Sequence, residues 1–376
     1  MNYSFWEQQF ITKPTDVTII GAGIVGLSTA ISIKESRPDV SIKILERGHL
    51  PYGASTKNAG FSCFGSVSEL MEDIDSIGEA TCMEIVKMRW LGLQMLKQRV
   101  GKQHLEYHHC GGTELFRAGD HQLLSACIDK ITSYNEMMND HMGLKDCYQL
   151  RQNEVVTSWL PQAIYNQYEG TINPMSMMQR LYQIAIEKGI SIFYGIEVQD
   201  LDQENHILKS GGNMDIQYKK LIVCTNGFTQ MLLPHLEVVP ARNQVLITKP
   251  MEGLTLNSGY HVDKGYVYFR NYQNRILLGG GRNLNPDGET TFDFGHTAQI
   301  QTYLEGILEE IYPGASNLID HRWSGILGIG PSKFPIIQWL DNHILVGVRL
   351  GGMGVAIGSY LGKVLAERVV ETVNIS

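Results

Sequence analysis

The chain has 376 residues, which is too long for one simple core and suits two domains. Hydrophobic residues make up 43% and charged residues 19%, as is usual for a globular protein. The net charge of -8 argues against a nucleic-acid or anionic-membrane partner. There is no basic, apolar leader and no run of about twenty apolar residues, so we expect a cytoplasmic protein without a membrane span. The six cysteines form no Cys-x-x-Cys pair, and no metal site is predicted.

The first elements along the chain are a strand, a glycine-rich turn, a helix and a second strand. Val17–Ile20 is a β-branched run, typical of a buried parallel strand. Residues 21–26 follow with the pattern Gly-x-Gly-x-x-Gly, and the helical pattern behind them ends at Pro38. A second strand covers 40–45 and ends in Glu46, twenty residues beyond the third glycine.

This unit predicts a dinucleotide site. The first glycine permits the tight turn, the second lets the backbone approach a pyrophosphate, and the third lets helix and strand pack closely. Glu46 would accept hydrogen bonds from an adenosine ribose and would repel a 2′-phosphate, which argues against NADP. The residues that this unit contributes to the predicted site are Gly21, Gly23, Ile24, Val25, Gly26, Glu46 and Arg47.

The middle and end of the chain add helices and two kinds of strand. Apolar residues at helical spacing, or a capping pair such as Asn173-Pro174, predict four helices. These helices cover 78–100, 121–142, 175–188 and 355–373. Short apolar runs predict buried strands at 189–194, 221–224 and 344–347. Alternating stretches predict an antiparallel sheet from 244–248, 266–270 and 276–278.

A second loop resembles a known family. Residues 53–61 run Gly-Ala-Ser-Thr-Lys-Asn-Ala-Gly-Phe, close to the Gly-Ala-Ser-x-x-Asn-Ala/Gly-Gly of the D-amino-acid-oxidase superfamily, which includes glycine, sarcosine and γ-glutamylputrescine oxidases. In that family the loop lies along the pyrophosphate and the flavin, so the resemblance implies FAD rather than NAD. The cofactor-binding residues that it implies here are Ser55, Thr56, Lys57, Asn58, Ala59 and Gly60.

The resemblance continues over nearly the whole chain. Residues 170–174, 224–227 and 240–244 are similar to family segments, and 351–354 resemble the C-terminal flavin segment, where a helix N-terminus points at the pyrimidine ring. The further FAD contacts that the resemblance implies are Val198, Thr225, Asn226, Gly227, Gly325, Gly352, Met353, Gly354 and Val355.

Three departures from the family pattern limit the choice of substrate. Leu327 stands where glycine oxidase has a carboxylate-binding arginine. The strand at 276–278 lacks the oxygen-activating lysine of sarcosine oxidase, so oxygen and another electron acceptor both remain open. No cysteine lies near 322–324, where sarcosine oxidase attaches its flavin, so we expect FAD to be bound non-covalently.

Four residues are candidates for substrate binding or catalysis. Arg349 lies between a buried strand and the flavin-facing loop, and its guanidinium could hold a carboxylate by two parallel hydrogen bonds. Arg270 is the second candidate for this role. His261 and Tyr268 are expected to line the same cavity.

The predicted function is oxidation of the C–N bond of a small amine or amino acid by hydride transfer to FAD. An FAD-dependent 2-hydroxyacid dehydrogenase, with His261 as its base, and a non-catalytic FAD-binding assembly factor are the alternatives. The predicted fold class is α/β, with a Rossmann-like three-layer FAD-binding domain and an interleaved α+β substrate domain that contains an antiparallel sheet. The FAD-binding domain would take 1–80, 150–232 and 318–376, and the substrate domain 81–149 and 233–317.

Overall fold

The computed structural model describes residues 3–211 and 214–373. The α-helices within these ranges are α1 (Phe5–Thr12), α2 (Ile24–Ser36), α3 (Val67–Ile77), α4 (Glu79–Val100), α5 (His121–Met142), α6 (Pro174–Glu187), α7 (Ala298–Ile311) and α8 (Gly354–Val370). None of these helices combines the length and the apolar character needed to cross a membrane.

The same ranges contain nineteen strands. They are β1 (Val17–Ile20), β2 (Ile42–Glu46), β3 (Phe61–Ser62), β4 (Gly112–Glu114), β5 (Tyr148–Gln152), β6 (Gln162–Asn166), β7 (Gly170–Thr171), β8 (Ser191–Tyr194), β9 (Val198–Asp202), β10 (Ile207–Ser210), β11 (Met214–Gln217), β12 (Lys220–Val223), β13 (Val239–Thr248), β14 (Gly259–Val262), β15 (Val267–Tyr272), β16 (Arg275–Gly280), β17 (Ile319–Ile329), β18 (Ile336–Trp339) and β19 (Ile344–Val348).

A six-stranded sheet forms the centre of the first unit. Its strand order is β18-β19-β12-β1-β2-β8, and all pairs are parallel except the edge pair β18-β19. Every residue of β1 is buried, because α2, α6 and α8 cover one face and the small sheet β9–β11 covers the other. Such a parallel sheet between two layers accounts for the unbroken β-branched run in the sequence.

An eight-stranded sheet forms the second unit, in the order β17-β13-β16-β15-β14-β4-β6-β5. Its pairs are antiparallel, apart from the parallel pair β14-β4. Leu246 and Phe269 point from one face into a core with Leu304 of α7. Because side chains alternate along a strand, the neighbours of these residues face the opposite way, toward the six-stranded unit. The predicted fold class is confirmed.

The division into domains stays a prediction. Segments 150–232 and 318–376 were both assigned to the FAD-binding domain, but β6 and β17 belong to the eight-stranded sheet. β17 pairs with β13 over almost its whole length. We therefore propose that residues 162–166 and 319–329 belong with the substrate domain.

A buried lysine connects the N-terminal helix to the central sheet. Lys43 on β2 is 1% exposed, and its Nζ donates to the carbonyls of Ile11 (2.8 Å) and Lys13 (2.6 Å). Lys43→Met should lower the free energy of unfolding by about 1–3 kcal/mol, because two carbonyls lose their donor. Urea unfolding of the FAD-loaded protein measures this change. Lys34→Met is the matched control, since Lys34 makes a similar 2.8 Å bond at the surface; equal losses in both variants would contradict the prediction.

Candidate dinucleotide groove and adjoining cavity

The glycine turn joins β1 to the N-terminus of α2. Gly21 adopts the left-handed backbone region with a φ of 102°, which favours glycine. A Cβ atom built on Gly26 would lie 1.9 Å from the carbonyl oxygen of Gly21. At the helix N-terminus the amide of Ile24 donates to Ser55 Oγ at 3.0 Å, whereas the amide of Val25 has no acceptor within the described residues. The turn therefore presents a helix N-terminus that suits a pyrophosphate.

Glu46 closes the groove at the end of β2. Its Oε2 accepts from the amide of Ala22 at 2.9 Å, and its Oε1 accepts from Gly48 at 3.0 Å and Tyr52 at 3.2 Å. A carboxylate has about four lone-pair sites, so one remains for a ribose hydroxyl. Beside it, the guanidinium carbon of Arg47 lies 3.7 Å from the ring centre of Phe228.

The second loop is folded by its own side chains. Asn58 donates from Nδ2 to the carbonyl of Ser55 at 2.9 Å and accepts at Oδ1 from the amide of Gly60 at 2.9 Å. Thr56 is turned away, with Oγ1 donating to the carbonyl of Pro51 at 3.0 Å. These bonds hold the loop in the shape that brings Ser55 against the start of α2.

The turn after β12 positions the segment before α8. The Oδ1 atom of Asn226 accepts from the amides of Arg349 at 3.1 Å and Leu350 at 3.2 Å. A Cβ atom built on Gly227 would lie 2.6 Å from the carbonyl oxygen of Leu327, so β17 passes directly over this turn. The turn after β12, β17 and the segment before α8 are distant in sequence but contact one another here.

Most of the predicted cofactor residues line two adjoining cavities of about 160 and 220 Å³. The first, called the groove, is lined by Gly21, Gly23, Ile24, Val25, Glu46, Arg47, Ser55, Asn58, Val198, Thr225, Asn226, Gly352, Gly354 and Val355. The second, called the cavity, is lined by Lys57, Ala59, Gly60, Gly325 and Met353 together with some of the same residues. Gly26, Thr56 and Gly227 line neither and support the turns from behind.

One wall of the cavity is formed by His261, Tyr268 and Asn243 of the eight-stranded sheet. His261 lies opposite Glu114 on β4 and Tyr268 on β15, so the three side chains share one face. The side-chain Nδ2 of Asn243 on β13 donates to the Tyr268 hydroxyl at 2.7 Å. The ring of Phe61 packs against both His261 and Tyr268, with its centre 5.2 Å from the His261 ring centre and 5.3 Å from the Tyr268 ring centre. His261 and Tyr268 therefore line the cavity, and their role in catalysis stays a prediction.

A cluster of ion pairs lines another part of the cavity. Arg89 lies 2.9 Å from Glu69, and Lys333 lies 2.5 Å from Asp73 and 3.5 Å from Glu69. Burial alone would raise the pKa of Glu69, but Arg89 and Lys333 outweigh it and hold that pKa below its ordinary value. These cations are already paired with acids, so they are poor anchors for an anionic ligand.

Arg282 also lines the cavity and is the residue that sequence reasoning missed. It follows β16, and its guanidinium carbon lies 5.3 Å from the ring centre of Tyr266. Within the described ranges its side chain has no hydrogen bond and no ion pair. A half-buried arginine in this state suits an incoming anion.

The structure corrects the two arginines chosen from the sequence, because neither lines the cavity. The Nε of Arg349 donates to the carbonyl of Phe334 at 3.0 Å, and its Nη1 donates to that of Glu237 at 3.3 Å. Arg270 is buried, and its Nη1 donates to the carbonyl of Gly60 at 3.2 Å. Both guanidinium groups bind backbone carbonyls outside the cavity lining, so neither is placed to hold a substrate carboxylate there.

The groove and the cavity define the class of protein. A glycine turn at a helix N-terminus and an acid at the end of the next strand suit the pyrophosphate and ribose of a dinucleotide such as FAD, and the second loop leads from them into the cavity. In the described ranges, no group of three or more His, Cys, Asp or Glu side chains is arranged to hold a metal. Non-covalent attachment of FAD stays a prediction.

The chain belongs to the DAO family, described as FAD dependent oxidoreductase, whose sequence model matches residues 16–368. It is 24% identical over 368 residues to gamma-glutamylputrescine oxidoreductase of Escherichia coli, covering 94% of this chain and 83% of that protein. It is 20% identical over 370 residues to the probable oxidoreductase OrdL of Haemophilus influenzae, covering 94% and 82%.

Solved structures share the fold at lower identity. L-proline dehydrogenase from P. horikoshii superposes with a TM-score of 0.75 at 17% identity, over 96% of this chain and 94% of that one. Glycine oxidase from Geobacillus kaustophilus superposes with a TM-score of 0.74 at 17% identity, over 96% of each chain. The chain is therefore an FAD-dependent oxidoreductase with the fold of this family.

Proposed function

We propose that this oxidoreductase oxidises the C–N bond of a small amine or amino acid. The observation that carries the proposal is the cavity beside the groove, which is lined by the unpaired cation Arg282 and by His261, whose Nε2 faces Glu169. The guanidinium suits a carboxylate and the imidazole suits a nitrogen that carries a proton, so both groups of an amino acid have a partner. When bound, FAD supplies a two-electron acceptor for the hydride on the carbon next to nitrogen.

The carboxylate of such a substrate would be held by Arg282 and Tyr268. Arginine binds a carboxylate through two parallel hydrogen bonds. The Tyr268 hydroxyl accepts from Asn243, so its own proton is free to be donated. Burial raises the pKa of Tyr268 far above its ordinary value, which keeps the phenol protonated. Arg282 would thus replace the arginine that the family carries where this chain has Leu327.

The names of the similar proteins support an amine or amino-acid substrate. Gamma-glutamylputrescine oxidoreductase names an amine, and glycine oxidase and L-proline dehydrogenase name amino acids. The electron acceptor is either oxygen or another molecule, and β16 offers only the aliphatic side chains of Ile276–Leu278 near the position of the oxygen-activating lysine.

A 2-hydroxyacid dehydrogenase is the second candidate. The observation in its favour is His261, which lines the cavity with its Nε2 atom 3.4 Å from Glu169 Oε2. A histidine beside a carboxylate is the arrangement that removes a proton from a hydroxyl group. The unpaired Arg282 would bind the carboxylate of either substrate.

An anaerobic absorbance screen separates the two candidates. The purified, FAD-loaded protein is mixed with D- and L-amino acids, N-methyl amines, polyamine derivatives and 2-hydroxyacids, and loss of the yellow oxidised spectrum is followed. We expect bleaching by an amine or amino acid. Bleaching by hydroxyacids alone would favour the dehydrogenase, and no bleaching by any compound would contradict both candidates. Admitting oxygen afterwards tests whether oxygen is the acceptor.

A further inference from the structure

Glu169 is fixed at the cavity by contacts on three sides. The residue is 3% exposed, and its Oε1 accepts from the amides of Phe64 at 3.0 Å and Gly65 at 3.4 Å. Its Oε2 lies 3.4 Å from His261 Nε2. A Cβ atom built on Gly112 would lie 1.9 Å from the same Oε2, so the carboxylate occupies the space that any larger residue on β4 would need. The glycine at position 112 therefore leaves room for the carboxylate next to His261.

His261 has one ring nitrogen committed and one free. Its Nε2 faces Glu169, which favours the neutral tautomer with the proton on Nε2. Its Nδ1 has no partner within the described residues, and the side chain remains 12% exposed at the cavity. The lone pair of Nδ1 is therefore available to a ligand in the cavity.

Three carboxylates on three different segments of the chain surround His261. Glu169, Glu114 and Glu69 approach it from the loop before β7, from β4 and from α3, while Arg89 and Lys333 pair with Glu69. The neutral groups Tyr268, Phe61 and Cys63 complete this part of the cavity wall.

The balance of these charges sets the protonation of His261. Burial lowers the pKa of His261, but contact with Glu169 and the charges of the three acids outweigh it. The pKa therefore lies above the ordinary 6.5. This residue holds a proton more firmly than a free histidine does.

We propose that His261 accepts the proton of the substrate's ammonium group and that Glu169 is the positioning residue that makes this transfer favourable. The inference rests on the proposed oxidation of an amine. One N–H bond of the ammonium breaks, its electron pair stays on the substrate nitrogen, and the proton goes to His261 Nδ1. The neutral amine then has the lone pair that becomes the second bond of C=N when hydride leaves the neighbouring carbon. Glu169 stabilises the imidazolium that results.

The test compares the pH dependence of anaerobic flavin reduction by one amine substrate in the wild type, Glu169→Gln and His261→Asn. In the wild type the rate should rise with pH through the raised pKa of His261, because only the neutral ring accepts a proton. Glu169→Gln should move this rise to lower pH, since the imidazolium loses its counter-charge. His261→Asn should keep only the rise due to the substrate's own ammonium and react about 100-fold more slowly at neutral pH.

A surface variant provides the matched control. Glu305→Gln removes one carboxylate, as Glu169→Gln does, but Glu305 pairs with Arg322 at 2.7 Å on α7. Its pH profile should match the wild type. An unchanged profile in Glu169→Gln, or a wild-type profile in His261→Asn, would overturn the proposal. Flavin absorbance per mole of protein verifies that each variant binds FAD.

A second measurement keeps the inference separate from the proposed function. Nitrogen-15 NMR of the histidine rings in the FAD-loaded protein reports the tautomer and the pKa of His261 without turnover. We expect the proton on Nε2 in the neutral form and a lower pKa in Glu169→Gln. The same tautomer and pKa in both proteins would overturn the role of Glu169, even if no amine reduced the flavin. If NMR shows the expected contact between His261 and Glu169 but no amine in the screen reduces the flavin, the proposed function would be contradicted instead.

Discussion

Gly26→Ala is expected to abolish stable FAD binding. The new Cβ would lie 1.9 Å from the carbonyl oxygen of Gly21, which is backbone and cannot rotate away. Either α2 moves off β1 or the turn opens, and both changes displace the helix N-terminus that faces the pyrophosphate. Overpacking of this kind usually costs about 1–3 kcal/mol, and a backbone contact falls at the upper end or beyond. We expect a protein that purifies without its yellow colour and unfolds at lower urea.

The control for this prediction is Gly306→Ala. Gly306 lies on the exposed side of α7, where a Cβ would meet nothing within 4 Å. Alanine favours a helix over glycine, so this variant should keep its FAD and be at least as stable as the wild type. FAD content after gel filtration and urea unfolding are measured for both. Full FAD content in Gly26→Ala would show that the turn does not contact the cofactor as we describe.

Arg282→Met should lower kcat/KM for a carboxylate-bearing substrate by about 30-fold or more. Removing one partner of a buried, hydrogen-bonded charge pair costs about 2–5 kcal/mol, and each 1.4 kcal/mol is a factor of ten. The loss should be confined to substrates that carry the carboxylate. An amine without that group should react with Arg282→Met about as fast as with the wild type, since it never used the guanidinium.

Arg275→Met is the matched control, because Arg275 lies at the start of the strand that Arg282 follows. Arg275 begins β16, and its guanidinium pairs with Asp320 at 2.6 Å outside the cavity. Its kcat/KM should stay within about twofold of the wild type, as for most surface changes. Arg349→Met adds a further comparison, because its guanidinium binds two backbone carbonyls. If Arg349→Met raised KM selectively for carboxylates and Arg282→Met did not, the sequence-based assignment of Arg349 would be restored.

The local elements could be predicted where one periodic pattern or one turn decides the conformation. The strand at Val17–Ile20 and the helix His121–Met142 have the predicted bounds. The helix after Asn173 begins at Pro174 because the Asn173 side chain accepts from the amides of Met175 and Ser176. By contrast, α3 and α7 were not predicted, and the packing of α7 on the eight-stranded sheet explains its apolar face.

The sequence did not allow contacts between distant segments to be predicted. The strand assignment of Ile319–Ile329 depends on its pairing with β13, about eighty residues earlier, and the pattern within the segment does not reveal that partner. Glu169 lies in a short connection before β7 and shows its role only when β4 and β14 bring Gly112 and His261 to it. A carboxylate is an ordinary surface residue until its neighbours are known.

The sequence by itself determined that the chain binds a dinucleotide and that this dinucleotide is FAD. The glycine turn and the acid carry the geometry of a dinucleotide site within about thirty residues, and the resemblance of the next loop to the D-amino-acid-oxidase superfamily implies FAD. Only the tertiary structure decided which cations and acids meet a substrate. The sequence does not distinguish Arg349 from Arg282 as a candidate. In the structure the Arg349 guanidinium binds two backbone carbonyls, whereas Arg282 lines the cavity without a hydrogen bond to any described residue. The two carbonyls that bind Arg349 belong to Phe334 and to the distant Glu237, and no local pattern in the sequence encodes either contact.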